Sequence, residues 1–454
     1  MKKQTRAILV IGLGYGDEGK GKIVDFLSRN ENVHTVVRFS GGAQAAHNVV
    51  TFDGKHHTFA QFGSGSLVPG IETHLSKHML VNPILLLSEA EHLYELGTAN
   101  VFKKITVHED ALITTPFQMA ANRLRELARH NARHGSCGLG IGETVQDHVD
   151  NGDKVIFARD LRDPKKLEQK LRFMQTIKRE QLYPLVGKLE ISEAICRELD
   201  ILEDTREINR CLKRFARFAK RIRIVSDDYL ASRLQKPGTV IFEGSQGVLL
   251  DEKYGFFPYC TRSNVTFENA QKLLDEAGFQ GKVTKLGVLR TYATRHGAGP
   301  FVTEDESLRP HLPELHNAYG DWQQSFRIGH FDMVAAEYAI HAVGGVDAIA
   351  LTHVDYLDSC QELKFCSAYK WDKQDAKQFE WHSYGIKAQP DTTLKRQAQM
   401  TKALERVRPI YRPFDDDREG AIHTIELILK TPITLISTGN IALYTMYRNS
   451  KIHQ

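Results

Sequence analysis

One nonapeptide constrains this chain more than any other feature: Gly14-Tyr-Gly-Asp-Glu-Gly-Lys-Gly-Lys22, set directly after an apolar run and before a helical-period segment. Gly14 and the Gly19-Lys20 pair stand at the spacing of a phosphate-binding loop, where backbone N–H groups and a lysine surround phosphate oxygens. Position 21 is glycine, so the hydroxyl that usually meets magnesium there is missing. Instead a carboxylate, Asp17, lies inside the loop. An anion there repels phosphate unless it holds a cation or removes a proton from a substrate. The plainer alternative is a glycine-rich turn whose acidic residues favour a helix N-terminus. Four glycines and two lysines interleaved with Asp17 favour the functional reading.

Such a loop presupposes strands covered by helices, and the rest of the chain agrees. Apolar, β-branched runs at 7–13, 35–39, 239–242, 285–291, 348–353, 364–369 and 433–436 predict strands. They alternate with helical-period segments at 20–29, 117–130, 164–179, 192–220, 266–277, 331–342 and 420–430. The fold class expected is α/β, a large, mostly parallel central sheet with covering helices. Residues 163–223 are charged and helical, so a helical insertion is expected there. No Gly/Pro-rich linker divides the chain, which predicts one elaborated domain over 1–454. With 454 residues, 41% apolar and 26% charged, disordered, fibrous and membrane-embedded classes are excluded. A surplus of +4 is too small to argue for nucleic acid, and no apolar run approaches a membrane span. Six dispersed cysteines without a Cys-x-x-Cys pair speak against a disulfide framework or zinc site and for the cytoplasm.

A second glycine cluster follows the next strand: Arg38-Phe-Ser-Gly-Gly-Ala-Gln-Ala-Ala-His47-Asn48. Its small residues allow a substrate close to the backbone, and Gln44 and His47, three apart, could share one face. A lone histidine is more often structural. Joined to Asp17 through a short βαβ unit, His47 becomes a candidate acid or charge stabiliser beside a transferred phosphoryl group.

With these residues in hand the chain resembles the adenylosuccinate synthetase family, which joins aspartate to IMP at the expense of GTP. The family's Gly-Asp-Glu-Gly-Lys-Gly-Lys loop is matched without change from Gly16 to Lys22. Its Gly-Gly-His-Asn-Ala-Gly-His-Thr is similar to Gly41-Gly-Ala-Gln-Ala-Ala-His47-Asn48, and its Phe-Glu-Gly-Ala-Gln-Gly-Thr-Leu-Leu-Asp to Phe242-Glu-Gly-Ser-Gln-Gly-Val-Leu-Leu-Asp251. Pro258-Tyr-Cys-Thr-Arg-Ser-Asn264, Thr294-Arg-His-Gly-Ala-Gly-Pro-Phe301, Thr352-His-Val-Asp355 and Ile436-Ser-Thr-Gly439 continue the match in order.

The resemblance implies Asp17 as the base that takes the purine N1 proton and His47 as the acid. It implies magnesium held by Asp17 and the main-chain carbonyl of Ala46, and GTP as co-substrate. Phosphates and guanine would meet Gly16, Glu18, Gly19, Lys20, Gly21, Lys22, His353, Asp355, Ser437 and Gly439. IMP would meet Gln44, Cys137, Gln246 and Thr261. For three of these the residues alone leave another reading: Gln246 as a surface-turn glutamine, Thr261 and Asp355 as helix caps. A homodimer is also implied, with small-molecule partners and neither nucleic acid nor membrane.

The acceptor side departs from the family. Its Thr-Thr-Gly-Arg-Arg-Arg-Arg-Thr-Gly segment, counted back from Gly329, is here Asp321-Trp-Gln-Gln-Ser-Phe-Arg327-Ile-Gly329. Gln324 stands where an arginine would clamp a carboxylate, and glutamine supplies paired donors and positive charge only in part. Arg327 and the separate Arg295 are the candidate replacements. Cys137 replaces a threonine, as a small packing residue rather than a nucleophile. Three functions are therefore weighed: the family's aspartate–IMP ligation, a paralogous ligase using another amine, and a non-catalytic GTP-binding protein. Asp17 and His47 together favour catalysis, and the first.

Overall fold

The computed structural model describes residues 5–314, 319–381, 385–386, 393–415 and 417–449. Its spine is a ten-stranded sheet in the order Thr445–Tyr447, Ile433–Ser437, Ala348–Thr352, Lys282–Arg290, Thr5–Gly12, Gly238–Gly247, Val33–Arg38, Glu72–Leu75, Ile105–His108 and Arg223–Val225. Every neighbouring pair is parallel except the first, where Thr445–Tyr447 runs antiparallel to Ile433–Ser437. Both faces are covered, so the strands read as apolar runs rather than alternating ones. Leu9 and Ile11 point into one hydrophobic cluster, with Phe242, Leu351 and the helix Met333–Ala342. Ile8 and Val10 point into another, against Ile23 and Val24 of the helix Lys20–Asn30. That alternation is the period-two geometry of a strand.

Three expectations shift. The 364–369 run does form a strand, Lys364–Lys370, but it lies in a separate three-stranded sheet with Phe331–Asp332 and Arg408–Pro413. The expected helix over 192–220 is two helices, Glu193–Glu203 and Arg206–Arg221. The break falls at Asp204, which adopts an extended backbone and accepts from Arg206 N at 2.9 Å, a side-chain bond that competes with helix continuation. The strands Glu72–Leu75, Ile105–His108 and Arg223–Val225 carry too little apolar signal to stand out. They extend the sheet on the side away from the phosphate loop. Among the described residues no helix is long and apolar enough to cross a membrane.

Candidate active site

The loop expected to cradle phosphate leaves the strand Thr5–Gly12 and enters the helix Lys20–Asn30, at the carboxyl ends of the parallel strands where open α/β sheets bind ligands. Gly16 and Gly19 have φ of 118° and 91°, a conformation that only glycine adopts without strain. The glycine at position 21, anomalous for a phosphate loop, has a steric cause. A Cβ there would lie 2.9 Å from His47 Cβ and 3.2 Å from Asn48 O, so glycine lets the second motif pack against the first.

Glu18 turns out to brace the loop from within. Its buried carboxylate accepts from Gly14 N at 2.9 Å, Gly16 N at 2.8 Å and Lys20 Nζ at 2.8 Å. Two of the amides that a phosphate would be expected to use are thus already filled by an internal anion. What remains for a phosphate is the helix N-terminus at Lys20, Gly21 and Lys22, where the macrodipole favours negative charge.

Beside a small pocket of about 50 Å³ lined by Gly14, Tyr15, Asp17 and Glu18, two larger cavities open at this loop. A cleft of about 900 Å³ is lined by Gln44, Cys137, Gln246, Thr261, Arg295 and His296, among others. A smaller chamber of about 120 Å³ is lined by Gly19, Lys20, Gly21, Lys22, Arg290 and His353. Four residues, Gly16, Asp17, Ala46 and His47, line both. The two residues singled out as base and acid therefore stand where the cavities meet.

Asp17 is partly exposed, and His296 Nε2 lies 3.3 Å from its Oδ2. Burial pushes its pKa up, but His296, Arg290 and Lys20 outweigh that and hold it below the usual carboxylate range. Arg290 also donates to the Asp17 main-chain oxygen at 3.1 Å. His47 is buried, with Nδ1 2.6 Å from Glu243 Oε1 and Nε2 2.9 Å from Ser245 O. Burial lowers its pKa and Glu243 opposes the shift. Both ring nitrogens face acceptors, so Nδ1–H is fixed on Glu243 and Nε2 carries a proton whenever the second contact is a hydrogen bond.

Glu243 sits inside the Phe-Glu-Gly-Ser-Gln-Gly motif, where no spacing marks it as part of a site. The parallel register pairs it with Val10 on one side and Arg38 on the other. Burial alone would raise its pKa, but Arg38, His47 and Ser64 bring it down to about 2. Ser64 donates to it twice, from N at 2.9 Å and from Oγ at 2.5 Å. The signal that could have found it is a charged residue in the interior of an otherwise apolar strand.

The nucleotide-binding candidates separate into those that line a cavity and those that support one. The Gln44 and Gln246 side-chain amides are buried, and neither their oxygen nor their nitrogen has a partner. Gln246 belongs to the strand Gly238–Gly247, so the surface-turn alternative does not describe it. Thr261 lines the cleft, 3.4 Å from Ser263 Oγ, and caps no helix. Burial pushes the Cys137 thiol up to about 11, so it is neutral and no nucleophile. Asp355 precedes the short helix Tyr356–Ser359 without a side-chain cap, and its buried Oδ1 has no partner. His353 lines the smaller chamber at φ 59° and stacks on Tyr356, centroids 6.2 Å apart. Lys22, pushed by burial down to about 7, donates to Gly439 O at 2.5 Å. The Ser437 hydroxyl is buried and accepts from Thr445 Oγ1 at 3.0 Å, and neither Ser437 nor Gly439 lines the chamber wall described above.

The acceptor loop differs from expectation. Arg327 grips Glu304 with Nε and Nη2, at 2.7 and 2.5 Å, and donates from Nη1 to Gly297 O and Gly299 O. Arg295 is buried and donates to the carbonyls of Ala298, Pro300 and Tyr259. Neither guanidinium is the open carboxylate clamp anticipated for it. Gln324 sits at φ 67° in a tight turn closed by mutual backbone bonds with Gly320. The neighbouring Gln323 lines the cleft instead. Trp322 packs this loop against Gly138, and the guanidinium groups of Arg123 and Arg133 lie over its ring at 5.4 and 6.0 Å.

Among the described residues no three His, Cys, Asp or Glu side chains converge on a metal position. Asp17 and Ala46 both line the cavity junction, a carboxylate and a main-chain carbonyl being hard oxygen donors, and Ala46 lies outside the left-handed backbone region. That donor set fits a hard divalent cation that takes its other oxygens from phosphate and water.

Comparison with known proteins bears on the family of the chain. The family model described as adenylosuccinate synthetase matches residues 9–445. The adenylosuccinate synthetase of Chlorobium chlorochromatii is 31% identical over 95% of both chains. Adenylosuccinate synthetase 2 of Chromobacterium violaceum is 31% identical over 96% of both. Among solved structures, the fully ligated adenylosuccinate synthetase of Plasmodium falciparum superposes with a TM-score of 0.76 at 21% identity, over 97% of this chain and 99% of that one. The succinoaminodeoxyadenylate synthetase of cyanophage S-2L, bound to dGMP and dATP, gives 0.54 at 17% identity, over 98% and 95%. These two structures bear on the fold alone.

Proposed function

The chain belongs to the adenylosuccinate synthetase family, GTP-dependent ligases that join aspartate to IMP in purine biosynthesis, and from that premise we propose how its own residues divide the work between the two cavities. The larger cleft takes the purine nucleotide and the smaller chamber the triphosphate, so that O6 and the γ-phosphorus meet beside Asp17 and His47. The observation that carries this is the pair of unpartnered buried amides, Gln44 and Gln246. An unsatisfied buried polar group costs about 1–3 kcal/mol, and a nucleotide with matching donors and acceptors removes that cost for both.

In the first step Asp17 takes the N1 proton, and the electron pair so released makes O6 the nucleophile. The O6–Pγ bond forms, the bond from Pγ to the β-phosphate oxygen breaks, and GDP leaves. His47, held by Glu243, turns Nε2 from Ser245 O to the transferred phosphoryl oxygens, whose negative charge draws a second proton onto the ring so that Nε2–H donates to them. In the second step the amine attacks C6, the C6–O6 bond breaks, phosphate departs and the nitrogen loses a proton. Lys20, Gly21 and Lys22 hold the triphosphate, whose charge draws the Lys22 proton back on. Asp355 accepts from guanine N1–H and N2–H, and His353 walls the chamber. Asp17 and Ala46 would hold magnesium, which when bound neutralises charge on the GTP phosphates.

Aspartate enters at the Gln323 and Gly135 side of the cleft. With Arg295 and Arg327 committed elsewhere it binds weakly, each missing charge-assisted bond being worth roughly 1.5–3 kcal/mol. The working unit is a homodimer in the cytoplasm, as the family likeness implies. Purified protein with IMP, GTP and magnesium should convert aspartate to adenylosuccinate, detected by mass spectrometry against a panel of amines. Asp17→Asn should lower kcat by about a hundredfold or more while GTP still binds. Product from a neutral amine and none from aspartate would establish a changed acceptor, and near-normal turnover by Asp17→Asn would remove Asp17 as base.

A further inference from the structure

Two imidazole–carboxylate pairs flank the junction of the cavities, and they face opposite ways. In the first the histidine works and the carboxylate supports it: His47 lines both cavities, while Glu243 is fully buried behind it. In the second the carboxylate stands at the junction, since Asp17 lines both cavities, whereas His296 lines the acceptor cleft alone.

His296 is held rigidly. It ends the strand Ala293–His296, which pairs antiparallel with Phe326–Gly329 and sets His296 opposite Phe326. The imidazole meets the Phe326 ring edge-on, centroids 4.8 Å apart at 61°, and Gly297 N donates to Ser325 O at 2.9 Å. Asp17, by contrast, sits on a loop between two glycines of positive φ, Gly16 and Gly19, where little but its contacts fixes the side-chain torsions. A donor on one carboxylate oxygen selects a rotamer and aims the other oxygen. The donor available is His296 Nε2, 3.3 Å from Oδ2.

We infer that His296 is a positioning residue for the deprotonation step: it donates from Nε2 to Asp17 Oδ2 and leaves Oδ1 as the oxygen that meets the purine N1–H. The inference rests on the reading of Asp17 as the base. In the step itself the N1 proton passes to Oδ1, the electron pair moves through C6 onto O6, and His296 keeps its proton throughout. The role requires a hydrogen-bond donor at a fixed point, not a titrating group.

The test isolates the first step. GTP labelled with ¹⁸O in the β,γ-bridge scrambles its label whenever the γ-phosphoryl group leaves and returns, so IMP with no aspartate present reports O6 phosphorylation alone. His296→Ala should slow that exchange and kcat by about tenfold to a hundredfold, the cost of a misplaced catalytic group. KM for IMP and GTP should stay within about twofold, since no binding contact is removed. His296→Gln, whose amide nitrogen reaches about as far as imidazole Nε2, should restore most of the exchange; the shorter His296→Asn should not. Thermal melts of all three keep a folding defect distinguishable, and the Gln rescue is read only against a variant of equal stability. Undiminished exchange in His296→Ala, or failure of His296→Gln with wild-type stability, overturns the positioning role alone. A wild-type protein without IMP-dependent exchange overturns the assignment of Asp17, and this inference with it.

Discussion

At the scale of single residues, the most informative side chain is Glu243, because the proposed acid His47 and the stability of the fold both lean on it. Its pKa is about 2 in the folded chain against an ordinary value of 4.5. A carboxyl group depressed in this way contributes stability above its unfolded pKa and loses it as pH falls from about 4.5 towards 2. A shift of this size corresponds to about 3 kcal/mol, at roughly 1.4 kcal/mol per unit. Glu243→Gln should therefore lower the urea midpoint at pH 7 and flatten its decline between pH 5 and pH 3. The same variant should reduce kcat, since His47 loses the carboxylate that holds Nδ1–H. An unchanged acid slope would show that Glu243 does not carry this linkage. Asp355 offers a cleaner test of specificity. Asp355→Asn should lose GTP and accept xanthosine triphosphate, because the amide donates to xanthine O2 where the carboxylate accepted from guanine N2–H. Equal use of both nucleotides before and after the change would place guanine recognition elsewhere.

At the scale of elements, the phosphate loop is built around contacts that only glycine permits. A Cβ on Gly247 would lie 2.1 Å from Gly14 O and 2.4 Å from Glu18 Oε1. Gly247→Ala should cost about 1–3 kcal/mol, as overpacking does, and should weaken GTP binding by displacing the brace. Gly142→Ala, whose Cβ would find ordinary contact at 3.5 Å, is the control, and differential scanning calorimetry of the pair decides. These contacts also mark what the sequence makes legible. The strand-to-loop-to-helix unit and the second glycine motif could be read because glycine spacing and β-branched runs are local signals. Glu243 and His296 could not be read so directly, since their importance comes from neighbours contributed by His47 and Asp17, far away in the chain. The acceptor loop was legible only as a loss of arginines. That Arg327 faces Glu304 and Arg295 three carbonyls depends on tertiary packing, which no spacing encodes. The strand Ile105–His108 does not stand out because it is only four residues long and just two of them, Ile105 and Val107, are apolar; its place in the sheet comes from pairing with Glu72–Leu75.

At the scale of the whole molecule, an extended parallel sheet places both glycine motifs, the Gln246 strand and Asp355 along one edge, each near the carboxyl end of a strand. The cleft and the chamber share a wall of four residues, Gly16, Asp17, Ala46 and His47. A shared wall of that kind has a consequence for traffic. With the purine nucleotide in the cleft and the triphosphate in the chamber, as proposed above, neither must cross the other's seat to arrive or depart. Initial velocities measured against both nucleotides should then give intersecting rather than parallel lines, and GDP should compete with GTP whether or not the purine site is full. A compulsory sequence, with one nucleotide barred until the other has docked, would mean that the wall moves. If it stands still, the enzyme resembles a counter served from two sides, with the exchange made only where the hands can meet.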